Sequence, residues 1–193
     1  MPSLPITPVA LSQLGRAAHD IGLAGLLGGN LFGRLALHPS VTEISDRSER
    51  GKVVNTAWRR YGTVNSLSLL AVAGGWLGAR LQEAAPRRLS PNEQRLATGK
   101  DVMVGVVALT GLATAAQGVR FARTAPDGAV PLADGDHTAP EASAAARRAK
   151  RRLNALGLMS LTAEAGLVGI NAALAQENYR RPPRGRARRA LRR

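Results

Sequence analysis

The chain has 193 residues, a formal net charge of +14, 45% hydrophobic residues, 3% aromatics and 21 glycines, a size that predicts one domain. It has no cysteine, which excludes disulfides, cysteine–zinc sites, iron–sulfur clusters and thiol catalysis. Its three histidines, His19, His38 and His137, are too few to predict an all-histidine metal site, and Arg outnumbers Lys 24 to 3, a ratio that fits GC-rich bacterial coding.

Four stretches are long, apolar and nearly uncharged. Ile21–Leu37 holds one ionisable side chain, Arg34. Tyr61–Ala79 and Val102–Val119 hold none beyond the Tyr61 phenol, and Leu153–Gln176 holds Glu164 alone. At about 1.5 Å per residue, 18 to 24 helical residues reach roughly 27–36 Å, the hydrocarbon thickness of a bilayer. A soluble bundle would carry charge on each outer face roughly every turn. The pattern predicts an all-α fold, a four-helix transmembrane bundle with spans near 21–37, 61–81, 102–119 and 153–176.

In chain order, helix 1 is predicted to start at Thr7-Pro8, with Thr as N-cap and Pro at the first helical position, to run to His38 and to stop at Pro39. The first fifteen residues lack a basic n-region and Asp20 interrupts the apolar run, so no secretory signal is expected. Helix 2 is predicted from Ser45-Asp46 to just before Pro86. Helix 3 opens on Ser90-Pro91-Asn92-Glu93, a capping box with Pro at the first helical position, and ends before Pro126. Residues 125–138 are expected to be one long flexible loop. Thr138-Ala139-Pro140-Glu141 reads as a second capping box opening helix 4, which ends before Pro182-Pro183. Each helix is longer than its apolar core, so the helices should extend beyond the bilayer. Residues 1–179 are thus expected to form the membrane domain, and 180–193 a basic disordered tail.

Small residues recur on one face of helix 1: Ala18, Gly22, Gly25, Gly29 and Gly33. Such stripes let helices approach closely, and this one is expected to pack within the bundle or to mediate a homodimer. Trp58, Tyr61 and Trp76 fit an interfacial aromatic belt.

Glu164 lies at the centre of its apolar segment. A carboxylate at the membrane midplane is costly, so it should face the interior and be neutral or paired. Asn30 and Thr110 lie near the same depth, and either is a candidate hydrogen-bond partner. Together the three form the expected intramembrane polar cluster, either as interhelical glue or as a proton-relay or ligand-binding site. His19 is expected to be an interfacial polar residue, with a ligand role as the alternative. No phosphate loop, Ser/His/Asp set, HExxH motif or carboxylate pair can be assembled, so no catalytic or metal residue is predicted.

His19, Gly28-Gly29, Phe32 and Pro39 resemble the first helix of small four-helix bacterial inner-membrane families such as the copper-resistance D-like proteins. The resemblance covers residues 19–39, and Leu26-Leu27 stand where that pattern carries a tryptophan. It implies a four-helix membrane bundle and, at His19, haem- or copper-linked chemistry. The residues by themselves imply no cofactor.

Arg180, Arg181, Arg184, Arg186, Arg188, Arg189, Arg192 and Arg193 make the tail strongly basic. Basic tails bind nucleic acid through counterion release. In a membrane setting the nearer partner is anionic lipid headgroups, and that is the partner expected here. Four spans place both termini on one side. That side carries 14 Lys and Arg against 12 in the two opposite loops, which predicts cytoplasmic termini in a bacterial inner membrane. The function expected is a non-enzymatic scaffold, accessory subunit or binding module. The alternative is a small transporter or redox-linked membrane protein working through Glu164.

Overall fold

The computed structural model describes residues 8–82 and 84–180, and these fold into four long helices: α1 (Pro8–Phe32), α2 (Arg47–Leu81), α3 (Pro91–Ala122) and α4 (Ala144–Arg180). Among the described residues no strand forms beyond one isolated bridge between Leu132 and Thr138. The predicted tail, apart from Arg180 at the end of α4, lies outside the described residues.

Local chemistry sets the helix starts. Asp46 caps α2, its side chain accepting from the amides of Ser48 and Glu49. Ser90 and Glu93 form a reciprocal capping box at α3, with Pro91 in the first turn. At α4 the expected box at Thr138–Glu141 does not form. The helix starts at Ala144, where the Ser143 hydroxyl accepts from the Ala146 amide.

Pro39 does not stop the first helical run as expected. Gly33–Leu37 open into a π-turn in which the His38 amide reaches back to the Gly33 carbonyl. The helical path then continues through His38–Ser40 and Val41–Glu43. In a regular helix the Pro39 ring would press on the carbonyl four residues back and leave it without a donor. The wider turn relieves that conflict.

The helices run up, down, up and down, with α1 packed mainly along α2 and α3 mainly along α4. The starts of α1 and α3 and the ends of α2 and α4 meet at one pole, the terminal pole. There Asn171 donates to Asp20, Asn92 to Glu177 and Trp76 to Asp101. The small-residue stripe of α1 is filled by α2. A Cβ on Gly22 would stand 2.6 Å from the Ser68 carbonyl and 2.9 Å from Ala71 Cβ. Gly29 and Gly33 receive the rings of Tyr61 and Trp58. A homodimer would therefore have to use another face.

The aromatic side chains turn inward rather than forming a belt. Trp76 is buried, Tyr61 donates to the Gly25 carbonyl at 2.7 Å and Trp58 donates to His38 Nε2 at 3.1 Å. The glycines of α1 leave room for these rings between the helices.

The core has two parts. One lies mid-bundle, around Leu23, Leu26, Val72, Val107 and Leu167. The other lies at the opposite pole, the loop pole, around Val54, Phe121, Val130, Leu132 and Ala146. The connection after α3 belongs to this second core, so it is a packed cap rather than a flexible loop. Val130 and Leu132 are buried, the Leu132 amide bonds the Arg47 carbonyl, and Asn55 and Asn154 donate to the carbonyls of Gly128 and Asp136. Its apolar residues are few but sit where the bundle end needs a lid.

Two helical stretches, Pro91–Ala122 and Ala144–Glu177, are long and apolar enough to cross a membrane. Only 17% and 22% of their most apolar windows are buried within the chain, so most of that apolar surface faces outward.

Candidate functional site

The polar groups of the interior lie at three levels. At mid-bundle, Glu164 is 0% exposed. Asn30 Nδ2 on α1 donates to both of its carboxyl oxygens, at 2.8 and 2.9 Å, and Ser160 Oγ one turn earlier on α4 donates to Oε1 at 2.8 Å. Glu164 thus links α1 to α4 and is enclosed by protein donors. Thr110 does not join it. Its hydroxyl turns back to the Val106 carbonyl at 2.7 Å, the usual refuge of a helical threonine in apolar surroundings. Arg34, one turn beyond Asn30, donates to the Asn154 carbonyl on α4 at 2.9 Å. Nothing along the chain singles out Ser160, because helical serines commonly bond only their own backbone.

Toward the terminal pole, His19 is 3% exposed. Its Nδ1 donates to the Val72 carbonyl at 2.7 Å, and its buried Nε2 has no hydrogen-bond partner among the described residues. Gly15 and Gly75 allow the close approach that buries it. Burial pushes its pKa below the ordinary histidine value, and the nearby Lys100 charge adds to that.

Beside His19 the four helices leave a cavity of about 230 Å³ at the terminal pole. Lys100 and Glu93, both almost fully buried, line it, with Trp76 as an aromatic wall and Arg16, Asp20 and Asn171 around it. The Lys100 ammonium sits 4.2 Å from the centre of the Trp76 ring, a cation–π contact. Among the described residues it has no ion pair with a carboxylate. Burial, with help from Arg16, lowers its pKa to about 8, against an opposing pull from Asp20. Asn171 donates through Nδ2 to Asp20, while its buried Oδ1 has no hydrogen-bond partner among the described residues. The salt bridge from Arg80 to Asp101, 2.7 Å at its shortest, ties α2 to α3 next to the cavity.

Toward the loop pole, His38 is held between two partners. Trp58 donates to its Nε2, so its Nδ1 carries the proton and donates to Asp136 at 2.9 Å. Burial lowers its pKa, Lys150 and Arg34 add to the effect, and Asp136 opposes it. Lys150 is also buried, near the Phe121 ring, and its pKa falls to about 8. Two of the chain's three lysines, Lys100 and Lys150, are therefore interior. In a chain that uses arginine almost everywhere else, that exception was the available signal. A compact ammonium that can lose its proton tolerates burial better than a guanidinium.

Among the described residues no group of three or more His, Cys, Asp or Glu side chains converges as a metal site. No family model, curated protein or solved structure matches this chain.

Proposed function

We propose that the chain is an integral membrane protein of four spans that acts as a non-enzymatic scaffold, accessory subunit or binding module. The observation that carries this reading is inverted polarity. Side chains such as Phe32, Leu35, Leu70, Leu109 and Leu158 point outward from all four helices, while Glu164, His19, Ser68 and Thr110 point inward. A water-soluble bundle does the reverse. In lipid, polar groups belong inside the bundle, as they are here. Residues 21–37 and 61–81 would then span as well. Their glycines and polar groups lower their mean hydropathy; the exposed side of 21–37 is apolar, and that of 61–81 is apolar apart from Thr63 and Ser66.

The setting of Glu164 supports a structural rather than a transport role. Both of its carboxyl oxygens are held by Asn30 and one also by Ser160, and the cavity at the terminal pole is lined by other residues. On this reading both termini lie in the cytoplasm of a bacterial cell, and the arginines of 180–193 rest on anionic headgroups. The reading is tested by fractionating cells that express the full chain. It expects the protein in the membrane pellet after carbonate washing, released only by detergent. Recovery in the aqueous fraction contradicts it.

A further inference from the structure

We propose that the cavity at the terminal pole binds a zwitterion of the phosphoethanolamine type, its phosphate against Lys100 and Arg16 and its primary ammonium against Asn171 Oδ1 and Asp20. This deepens the membrane reading above and rests on it for the lipid source of the ligand. Three observations lead there. The cavity, about 230 Å³, is of small-headgroup size and is walled by both polar and apolar side chains. Its lining carries two cations, Arg16 and Lys100, and two carboxylates, Asp20 and Glu93, so a ligand of either single charge would meet repulsion as well as attraction. Two atoms are left under-used by the protein. Among the described residues the buried Lys100 ammonium makes a cation–π contact with the Trp76 ring but no ion pair with a carboxylate, and Asn171 Oδ1 is a buried acceptor that receives no donor. An ammonium lacking an anion and an acceptor lacking an N–H describe the two ends of a zwitterion with a primary amine.

The position agrees. Arg16 and Asp20 precede the apolar segment of α1, and Lys100 precedes that of α3. Trp76 and Asn171 lie in the last turns of the segments of α2 and α4. In a bilayer that is the level of the headgroups, where acyl chains pass into phosphate. The lowered Lys100 pKa agrees as well: a bound phosphate would restore the charge that burial opposes, and phosphate contact should weaken as pH rises through about 8.

The test uses the full chain in mild detergent with Trp58→Phe, which leaves Trp76, a wall of the cavity, as the only tryptophan. Trp76 fluorescence is titrated with dihexanoyl phosphatidylethanolamine, phosphatidylcholine and phosphatidylglycerol, and with water-soluble O-phosphoethanolamine. The expected result is saturable binding of the ethanolamine lipid, with choline and glycerol lipids at least tenfold weaker. The choline head has no N–H to donate, and the glycerol head has no cation. Competition by O-phosphoethanolamine assigns the site to a free zwitterion, and its failure to compete assigns it to the lipid. Lys100→Met and Asn171→Leu, each checked for unchanged helical circular dichroism, should weaken binding at least tenfold. Equal binding of the three lipids, no saturation by any probe, or wild-type affinity in both folded variants overturns the proposal. Should a variant fail to fold, the selectivity of the unsubstituted cavity among the four probes decides. A chain that needs no detergent would refute the membrane reading, yet the same probes below their micellar concentrations would still test the cavity in buffer.

Discussion

Replacing both partners of the Asn30–Glu164 link should cost less than the two single replacements added together. In Glu164→Leu, the Asn30 amide loses both acceptors, at 2.8 and 2.9 Å. Ser160 has a refuge, the carbonyl of Leu156 one turn back, as Thr162 already uses that of Leu158 at 2.9 Å. Interhelical hydrogen bonds in membranes average about 0.6 kcal/mol and reach about 1.7. A stranded buried polar group adds about 1–3 kcal/mol. Glu164→Leu should therefore destabilise by about 2 kcal/mol. Asn30→Leu should cost somewhat more, because it leaves a fully buried carboxyl with Ser160 alone. The double variant leaves no stranded partner and should cost about 1.5 kcal/mol less than the sum of the singles. Glu164→Gln should stay close to wild type, since the Asn30 amide can flip to offer its oxygen to the new N–H. Stability would be read from helical circular dichroism during titration of dodecyl sulfate into mild detergent. Additivity of the two singles within about 0.5 kcal/mol would refute the reasoning.

Other outcomes follow from the packing and the buried bases. Gly22→Ala should destabilise by about 1–3 kcal/mol in the same titration, because its Cβ would meet the Ser68 carbonyl at 2.6 Å and backbone cannot step aside. Acidification should loosen the loop pole. The pKa of folded His38 is lowered, so the unfolded chain takes up a proton first as pH falls below about 6.5, and stability falls with it. Because a protonated Nε2 would face the Trp58 N–H, the fluorescence of a Trp76→Phe protein should change over that acid limb, and a flat profile would count against the His38–Trp58 bond. In the alkaline range the sign follows the lysines. Lys100 and Lys150 are both lowered to about 8, the unfolded chain holds more protons between there and 10.5, and melting temperature should rise across that window. Lys150→Met should reduce that rise.

Much of the architecture was legible in the sequence because helix ends are written in local chemistry. Asp46 and the Ser90–Glu93 pair act within four residues of themselves, so reading along the chain finds them. Pro39 misled because its effect depends on the π-turn opened just before it at Gly33. Residues 125–138 misled because their polar composition hid Val130 and Leu132, whose burial is settled by helices distant in the chain. The same limit applies to the site. Asn30 and Glu164 stood out as polar residues in apolar runs at matching depth, and depth alone allowed Thr110 equally. Only the rotation of α3 decides that its hydroxyl serves Val106. Lys100 and Asn171 were missed because a residue at the margin of an apolar segment looks solvated until four helices are seen to enclose it. The aromatic rings illustrate the point in reverse: their positions along α2 suited a belt, but the glycines of α1 draw them inside.

The most direct test of the central claim, a bundle with apolar outward faces and a polar interior set in lipid, uses the absence of native cysteine. Single cysteines placed at Leu35, Leu70, Leu109 and Leu158, one on each helical run and all exposed outward, would be spin-labelled in the protein reconstituted into liposomes. Collision with dissolved oxygen, which concentrates in hydrocarbon, would be compared with collision with a water-soluble nickel chelate. High oxygen and low nickel accessibility at all four positions is the predicted result. Ready collision with the nickel chelate at these positions would place the outer face in water and contradict the membrane reading.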